Sequence, residues 1–363
     1  MHYTRILILP ALLLSSSAYA GCHFYVHEDY YVNAVQHYTV PLAASAISVP
    51  PGAATGAVIF EQKVNLKNTP KFSIMCDAVG DFMRTENYDS HPYPPISTGS
   101  KIYKTNIAGI GVRFRAGDPP TYSFPVNYYS STCDEQYCNF TKGWVADTTI
   151  QLIKTGNTVG TGAITGASLP TSVYTAGQSG SMVDIYKINI SGTLNVNTPT
   201  CDITAASQSM VVPMGKHHVA DFSGVGSGTE WKDASIRLNN CGHFYGSSSA
   251  AIASFNGTSN VPLTDLTSNA AVVTLTPLDG NVKPEEGVMA LSDSSSATGI
   301  GIQLSSSESE SGKINLNAAY TQMLPKDGTT NFTIPLFARY IQTENSIGAG
   351  TANGKLEYTI TYR

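Results

Sequence analysis

The chain ends with the stretch GAGTANGKLEYTITYR, residues 348–363, whose last part alternates strictly between large apolar and polar side chains. Side chains at every second position of an extended strand point to the same face. The stretch therefore predicts a terminal β-strand with one buried face. The four large side chains on that face are Leu356, Tyr358, Ile360 and Tyr362.

Similar short alternations recur along the chain and are separated by clusters of Gly, Pro, Asn and Ser. No long stretch shows the 3.6-residue period of an amphipathic helix. Short strands bounded by frequent turn residues are typical of sandwiches and barrels. The sequence therefore predicts an all-β fold with two β-sandwich domains. The other runs predicted as strands are 58–64, 107–114, 148–153, 183–190 and 314–316.

Length and charge limit the class of protein. The chain has 363 residues, of which 42% are hydrophobic and 13% charged, with a formal net charge of −5. This hydrophobic content supports a folded core, and the length suggests two or more domains. Nucleic-acid binding is disfavoured, because phosphate contacts require clustered Lys and Arg.

Residues 1–20 have the pattern of a secretory signal peptide. Arg5 precedes an apolar stretch at residues 6–14, and Ala18 and Ala20 form a small-x-small cleavage site. That stretch is too short to span a bilayer, and no later segment is long and apolar enough to do so. The sequence thus predicts an exported protein without a membrane span, whose mature chain begins at residue 21.

Export makes disulfides possible for the 6 cysteines. Their spacing favours three pairs among the many that are combinatorially possible. A zinc site is disfavoured, because no second Cys or His pair follows the 133–138 pair at finger spacing. The predicted disulfides are Cys22–Cys76, Cys133–Cys138 and Cys201–Cys241.

A shift in composition divides the mature chain near residue 197. Thirteen of the 20 tyrosines lie between residues 21 and 197, and five lie after them. The segment TPT at residues 198–200 places a stiffening proline at the junction. The predicted domains are therefore residues 21–197 and residues 198–363.

The second predicted domain carries a series of spaced motifs. They are TCDITA (200–205), MVVPMG (210–215), DFSGVGSG (221–228), ASIRLNNC (234–241), FNGT (255–258), GIGIQL (299–304) and NFTIPLFARYIQT (331–343). In this order, and with the terminal strand, they resemble the pilin domain of chaperone–usher fimbrial subunits. The resemblance covers most of residues 198–363.

This resemblance implies an immunoglobulin-like sandwich that lacks its last strand. A periplasmic chaperone would first fill the gap, and the N-terminal extension of the next subunit would then replace it after transfer to an outer-membrane usher. The pilin pattern of a penultimate tyrosine and a glycine fourteenth from the end corresponds here to Tyr362 and Gly350. The interface residues implied are Gly350, Leu356, Tyr358, Ile360 and Tyr362.

The first predicted domain replaces the short donor extension of an ordinary pilin. Its motifs SIMCDAVG (73–80) and TNIAGIGVRF (105–114) resemble the N-terminal domains of fimbrial adhesins. The arrangement resembles two-domain tip adhesins, in which an N-terminal receptor-binding domain precedes a pilin domain. It implies a protein at the fimbrial tip on the cell surface that binds a host receptor.

Tyrosine suits a glycan receptor, because its ring offers a flat apolar face and its hydroxyl a hydrogen bond. The alternatives are that the tyrosines pack in the core, that the receptor is a protein of the extracellular matrix, or that the chain is a minor structural subunit. The candidate ligand contacts are Tyr30, Tyr31, Tyr88, Asp89, His91, Tyr93, Tyr128, Tyr129, Asp134, Glu135, Gln136 and Tyr137.

Catalysis, cofactors and metals are disfavoured. No nucleophile elbow, P-loop or dinucleotide-binding glycine motif is present. His23 and His27 could share a metal on a helix, but on a strand they would lie about 13 Å apart. The sequence therefore predicts a binding protein and not an enzyme.

Overall fold

A computed structural model gives the fold of the protein. It describes residues 21–26, 31–66, 71–117, 119–133, 138–142, 147–247, 253–255, 260–261 and 266–363. At residues 130, 131, 133, 138–142, 253, 254, 260 and 261 the description covers the backbone only. The predicted signal peptide, residues 1–20, lies outside the described residues.

The first half of the chain, up to residue 197, is built almost entirely of strands. They are β1 (Cys22–Phe24), β2 (Gln36–Pro41), β3 (Ala46–Ser48), β4 (Val58–Val64), β5 (Phe72–Cys76), β6 (Gly80–Ser90), β7 (Tyr103–Lys104), β8 (Ile110–Ala116), β9 (Tyr122–Ser123), β10 (Val126–Cys133), β11 (Cys138–Lys142), β12 (Thr148–Lys154), β13 (Gly162–Thr165), β14 (Thr171–Gln178), β15 (Ser181–Ser191) and β16 (Thr193–Asn197). A 3-10 turn at Gly166–Ser168 separates β13 from β14.

Two larger sheets of this half face each other across one core. One has the order β10-β6-β14-β15-β2, and the other contains β4-β12-β8-β7 with β9 paired to β8. Tyr88 of β6 meets Phe114 of β8 with 5.5 Å between the ring centroids, so the inner faces of the two sheets are in contact. Two small sheets, β1-β5-β11 and β13-β16-β3, complete the half.

The second half, from residue 198, is also composed of strands. They are β17 (Asp202–Ile203), β18 (Lys232–Asp233), β19 (Ile236–Asn239), β20 (Ala253–Phe255), β21 (Asn260–Val261), β22 (Ala270–Pro277), β23 (Asn281–Lys283), β24 (Val288–Met289), β25 (Ile300–Ser305), β26 (Tyr320–Met323), β27 (Phe332–Ile334), β28 (Phe337–Gln342) and β29 (Leu356–Tyr362). The helical elements are α1 (Ala205–Gln208) and 3-10 turns at Val219–Asp221, Pro284–Glu286 and Glu310–Gly312.

Three sheets enclose the second core. Their orders are β18-β28-β25-β24-β23, β26-β22-β29 and β17-β19-β27. The buried side chains come from all three, for example Ile236 of β19, Val273 of β22 and Leu304 of β25. The all-β class predicted from the sequence is confirmed.

The terminal strand has the predicted alternation. Tyr362 is buried and Leu356 half-buried, whereas Glu357 and Thr359 are exposed. β29 pairs antiparallel with β22 along its whole length and is the edge strand of its sheet. One of its two backbone sides is therefore occupied and the other is not part of the sheet.

Most of the other predicted strands are present, and one is wrong. The runs at 58–64, 148–153 and 183–190 lie within β4, β12 and β15, and the run at 107–114 overlaps β8. Residues 314–316 do not form a strand, although Ile314 and Leu316 are buried. They follow a 3-10 turn and place two apolar side chains in the core without strand pairing.

Among the cysteines whose side chains are described, each half contains one disulfide. Cys22 is joined to Cys76 in the first half, and Cys201 to Cys241 in the second, which are the pairs predicted from the sequence. The predicted partners Cys133 and Cys138 lie where only the backbone is described. There, Cys138 is the residue opposite Cys76 in the pairing of β11 with β5.

Candidate functional site

A groove runs along the open edge of the second half. Residues 207–215 form one border and residues 352–356 with Tyr358 the other, and the cavity has a volume of about 740 Å³. Its floor is apolar, because hydrophobic core side chains line it. The floor residues are Met289, Ile302, Leu304, Leu336, Ala338 and Tyr340.

The first border begins at the end of α1 and continues as an irregular segment outside the described strands. Met210, Val212 and Met214 turn toward the core and are half-buried, while Val211 between them is 86% exposed. Residues 210–216 belong to no described strand. Pro213 removes one backbone donor from this segment. The segment therefore presents apolar side chains to the groove while its backbone stays outside any sheet.

Hydrogen bonds hold both borders in place. The Tyr358 hydroxyl donates to the Ser207 carbonyl, and the Tyr340 hydroxyl donates to the Ala352 carbonyl. Burial raises the pKa of both phenols, so they remain protonated donors. A Cβ at Gly354 would lie 2.7 Å from Ile302 Cδ1, so a larger residue there would require the floor side chains to shift.

The predicted interface residues divide into three environments. Leu356 and Tyr358 border the groove. Ile360 and Tyr362 pack against the core, and Gly350 lies against residues 296–297, where a Cβ would come within 2.5 Å of Ala297 N. Sequence reasoning missed the contribution of Met210, Met214 and Met289 to the groove, although the first two lie in its MVVPMG motif. The period-two spacing of the apolar residues Met210, Val212 and Met214 is the signal that could have shown this border.

Tyr88, predicted to contact a ligand, is instead a core residue. Only 9% of it is exposed, and its hydroxyl accepts a 3.0 Å hydrogen bond from the Phe114 backbone N–H. Its ring packs against Tyr103 and Phe124. The physical reason is strand alternation. Phe82 and Tyr88 are an even number of residues apart in β6, so both side chains lie on the inner face of the sheet.

The neighbours of Tyr88 do not converge on one site. Asp89 points to the opposite face and forms a 2.7 Å ion pair with Lys187. His91 is exposed and packs on Tyr103, with 4.7 Å between ring centroids. Tyr93 is half-buried. Tyr88 and His91 thus share a contact with Tyr103, but Asp89 lies on the other face of the sheet, so these residues do not form one site.

The tyrosines of β10 remain accessible. Tyr129 is 62% exposed, and its hydroxyl is hydrogen-bonded to Thr132, which in turn donates to Asp81. Tyr128 is half-buried with the Arg84 guanidinium 5.5 Å from its ring centroid. Burial is the main cause that raises the pKa of Tyr128, and the nearby Glu86 charge adds to it.

Tyr122 was missed by sequence reasoning. It is 56% exposed and meets Tyr128 edge to face, with 6.4 Å between ring centroids. Among the remaining predicted contacts, Tyr31 is half-buried with Lys71 Nζ 6.0 Å from its ring centroid. Tyr30, Asp134, Glu135, Gln136 and Tyr137 lie outside the described residues.

In the described ranges, no three His, Cys, Asp or Glu side chains come together as metal ligands would. Over the same part of the chain, no helix has the length and apolar character needed to cross a membrane.

Comparison with known proteins identifies both halves. Residues 40–193 match the family described as MrkD-like receptor binding domain, and residues 188–363 match the family described as Fimbrial protein. Such families comprise adhesive and structural proteins and not enzymes. The chain therefore belongs to the fimbrial adhesins, with a receptor-binding domain followed by a pilin domain.

Individual relatives and solved structures are similar to half of the chain or more. A fimbria adhesin protein of Klebsiella pneumoniae is 24% identical over 329 residues, which is 90% of this chain and 91% of the relative. The receptor binding domain of the K. pneumoniae adhesin MrkD1P covers 51% of this chain and 100% of its own, at 22% identity and a TM-score of 0.36. The CupB6 tip adhesin of Pseudomonas aeruginosa covers 94% of each chain, at 14% identity and a TM-score of 0.35.

Proposed function

We propose that this adhesin occupies the fimbrial tip, binds a host glycan through residues 21–197 and is anchored to the fimbria through residues 198–363. In this proposal residues 1–20 direct export to the periplasm. A periplasmic chaperone binds the nascent pilin domain there, and the outer-membrane usher exchanges it for the donor strand of the next subunit.

The groove beside β29 is the observation that carries the anchoring proposal. An extended peptide laid in it could hydrogen-bond to the free side of β29 and place alternate apolar side chains on the floor around Leu304 and Leu336. Strand addition of this kind gains affinity from the backbone and specificity from side-chain pockets. A covered groove also removes an exposed apolar edge that would otherwise promote aggregation.

The exposed tyrosines support the glycan proposal. Tyr129 and Tyr122 present ring surface to solvent at one edge of the receptor-binding half. An aromatic face packs on the C–H surface of a sugar while its hydroxyl bonds to sugar hydroxyls. Asp134, Glu135, Gln136 and Tyr137 follow β10 in the chain and remain predicted contacts.

The anchoring proposal is tested by fusing a donor-strand peptide after Arg363 through a flexible linker. Filling the groove should raise the melting temperature by about 5 °C or more, because each buried aliphatic side chain contributes about 1.5–3 kcal/mol. The matched control carries the same peptide with its alternate apolar residues changed to serine. An equal melting temperature for both fusions would refute donor-strand anchoring.

The receptor proposal is tested with a glycan array beside a panel of collagen and fibronectin. Glycan binding that free sugar inhibits, and that Tyr129→Ala weakens about tenfold or more, is the expected result. Met323→Ala changes a side chain of the pilin half that is also more than half exposed, and it should leave binding unchanged. Binding to the matrix proteins without sugar inhibition would show a protein receptor instead.

A further inference from the structure

The edge of the receptor-binding half at β4 is covered by a strand from the pilin half. β20 runs parallel to β4, with Ala253 opposite Gln62 and Phe255 opposite Val64. The Asn65 backbone N–H donates to the Phe255 carbonyl at 2.6 Å. The larger sheet thus continues from β12 through β4 into β20, and from there into β21.

Phe255 and Leu266 lie between Ser247 and Thr267, a stretch of the pilin half that we call the excursion, and their side chains pack in the receptor-binding core. Phe255 is only 7% exposed and belongs to the buried cluster of the first half, although it is far beyond residue 197 in the chain. Leu266 is half-buried against the same cluster. The excursion therefore contributes apolar burial as well as backbone hydrogen bonds.

The base of the excursion is fixed on both halves. Ser247 and Thr267 exchange two backbone hydrogen bonds of 2.9 Å, which close the excursion on the pilin side. Beside them, the Ser48 N–H donates to the Gly246 carbonyl at 2.8 Å, and the Tyr245 N–H donates to Ser48 Oγ at 2.8 Å. Lys326 Nζ also donates to the Leu266 carbonyl at 2.6 Å.

An edge strand without a partner exposes a row of N–H and C=O groups that can template pairing with another chain. Without β20, β4 would be such an edge, because among the described strands its other neighbour is β12. β20 occupies this edge as a parallel strand, with the buried Phe255 opposite Val64.

We propose that the β4 edge is a strand-acceptor site of the receptor-binding half, and that β20 of the same chain is its resident occupant. The receptor-binding half is then completed within the chain by the pilin half. The interaction joins the two halves through a sheet and not only through the linker at residues 198–200. This proposal is independent of the groove beside β29.

The test follows hydrogen exchange in the full chain after Phe255→Ala. Loss of the buried ring should release β20 and speed exchange in the β4 peptide that contains Asn65 by at least about tenfold, with little change in β22 and β29. Tyr129→Ala removes an exposed aromatic from the same half and is the matched control. Unchanged exchange at Asn65 in a folded Phe255→Ala protein would overturn the proposal.

A second variant keeps the test decisive if Phe255→Ala does not fold. Lys63 and Ser254 lie opposite each other, so Lys63→Cys with Ser254→Cys should form an intramolecular disulfide on mild oxidation. Lys63→Cys with Ser295→Cys, on an exposed loop of the pilin half, should not. Disulfide-linked dimers, or equal crosslinking in both pairs, would show that β20 is not the occupant in solution.

Discussion

The two halves of the adhesin differ in what lies beside one strand of each: β4 in the receptor-binding half and β29 in the pilin half. In the receptor-binding half, β4 pairs with β12 on one side and with β20 on the other. In the pilin half, β29 pairs with β22 on one side and borders a groove of about 740 Å³ on the other. One edge is thus filled by the chain itself and the other is left open.

The difference follows from what covers each edge. β20 is tethered to the rest of the chain, so its effective concentration at β4 is on the order of millimolar or higher, and modest contacts suffice to hold it. Residues 210–216 lie near β29 but form no strand with it. An open apolar groove is a liability in a monomer, which is why we propose a partner strand there.

The largest effect should come from a charge in the open groove. Met214→Asp places a carboxylate among apolar floor residues, and desolvating it should cost about 2–3 kcal/mol of donor-strand stabilisation. The melting-temperature gain from the fused donor strand should then be lost.

Val211→Asp is the matched control, because Val211 lies in the same segment but is 86% exposed. The gain from the fused strand should survive this change. If both variants kept the same melting-temperature gain from the fused strand, the donor strand would not occupy this groove. The β29 edge would then not differ from the β4 edge in the way proposed here.

An intermediate effect should follow from crowding the contact between the halves at the end of β29. The Gly52 N–H donates to the Tyr362 carbonyl at 2.9 Å, and a Cβ at Gly52 would lie 2.3 Å from Thr361 Cγ2. Gly52→Val should therefore cost about 1–2 kcal/mol by overpacking. Calorimetry of the full chain measures this, and Ala54→Val on the exposed side of the same loop should change little.

The smallest effect should come from one groove-border hydroxyl. Tyr358→Phe removes the donor to the Ser207 carbonyl and should cost about 1 kcal/mol in urea unfolding. Tyr320→Phe is the control, because the Tyr320 hydroxyl is buried without a hydrogen-bond partner among the described residues. That change should be neutral or stabilising, so equal losses in the two variants would argue against the border contact.

Much of the fold could be predicted from local pattern. The alternation at 356–362 correctly predicted β29 and its buried face. Cysteine spacing correctly predicted the disulfides Cys22–Cys76 and Cys201–Cys241. The pattern failed at 314–316, where buried side chains sit on a turn and not on a strand. Alternating burial is necessary for a half-buried strand, but it does not guarantee a pairing partner.

The candidate sites were less predictable. Leu356 and Tyr358 were anticipated at the groove, but Met210, Met214 and Met289 were not. Tyr88 was assigned to the surface because residue type alone does not say which face of a strand is inside. Tyr122 was missed because its exposure depends on where β9 meets β8 at the edge of the sandwich.

By itself, the sequence determined the all-β class, the alternation of the terminal strand and the resemblance of each half to an adhesin domain, because these are carried by residue type and short spacing. Only the tertiary structure decided which sheet edges are filled. β20 lies in the sequence of the pilin half, yet it joins β4 of the receptor-binding half. The choice depends on which unpaired backbone edge lies within reach in space, and period-two pattern within a strand contains no information about that.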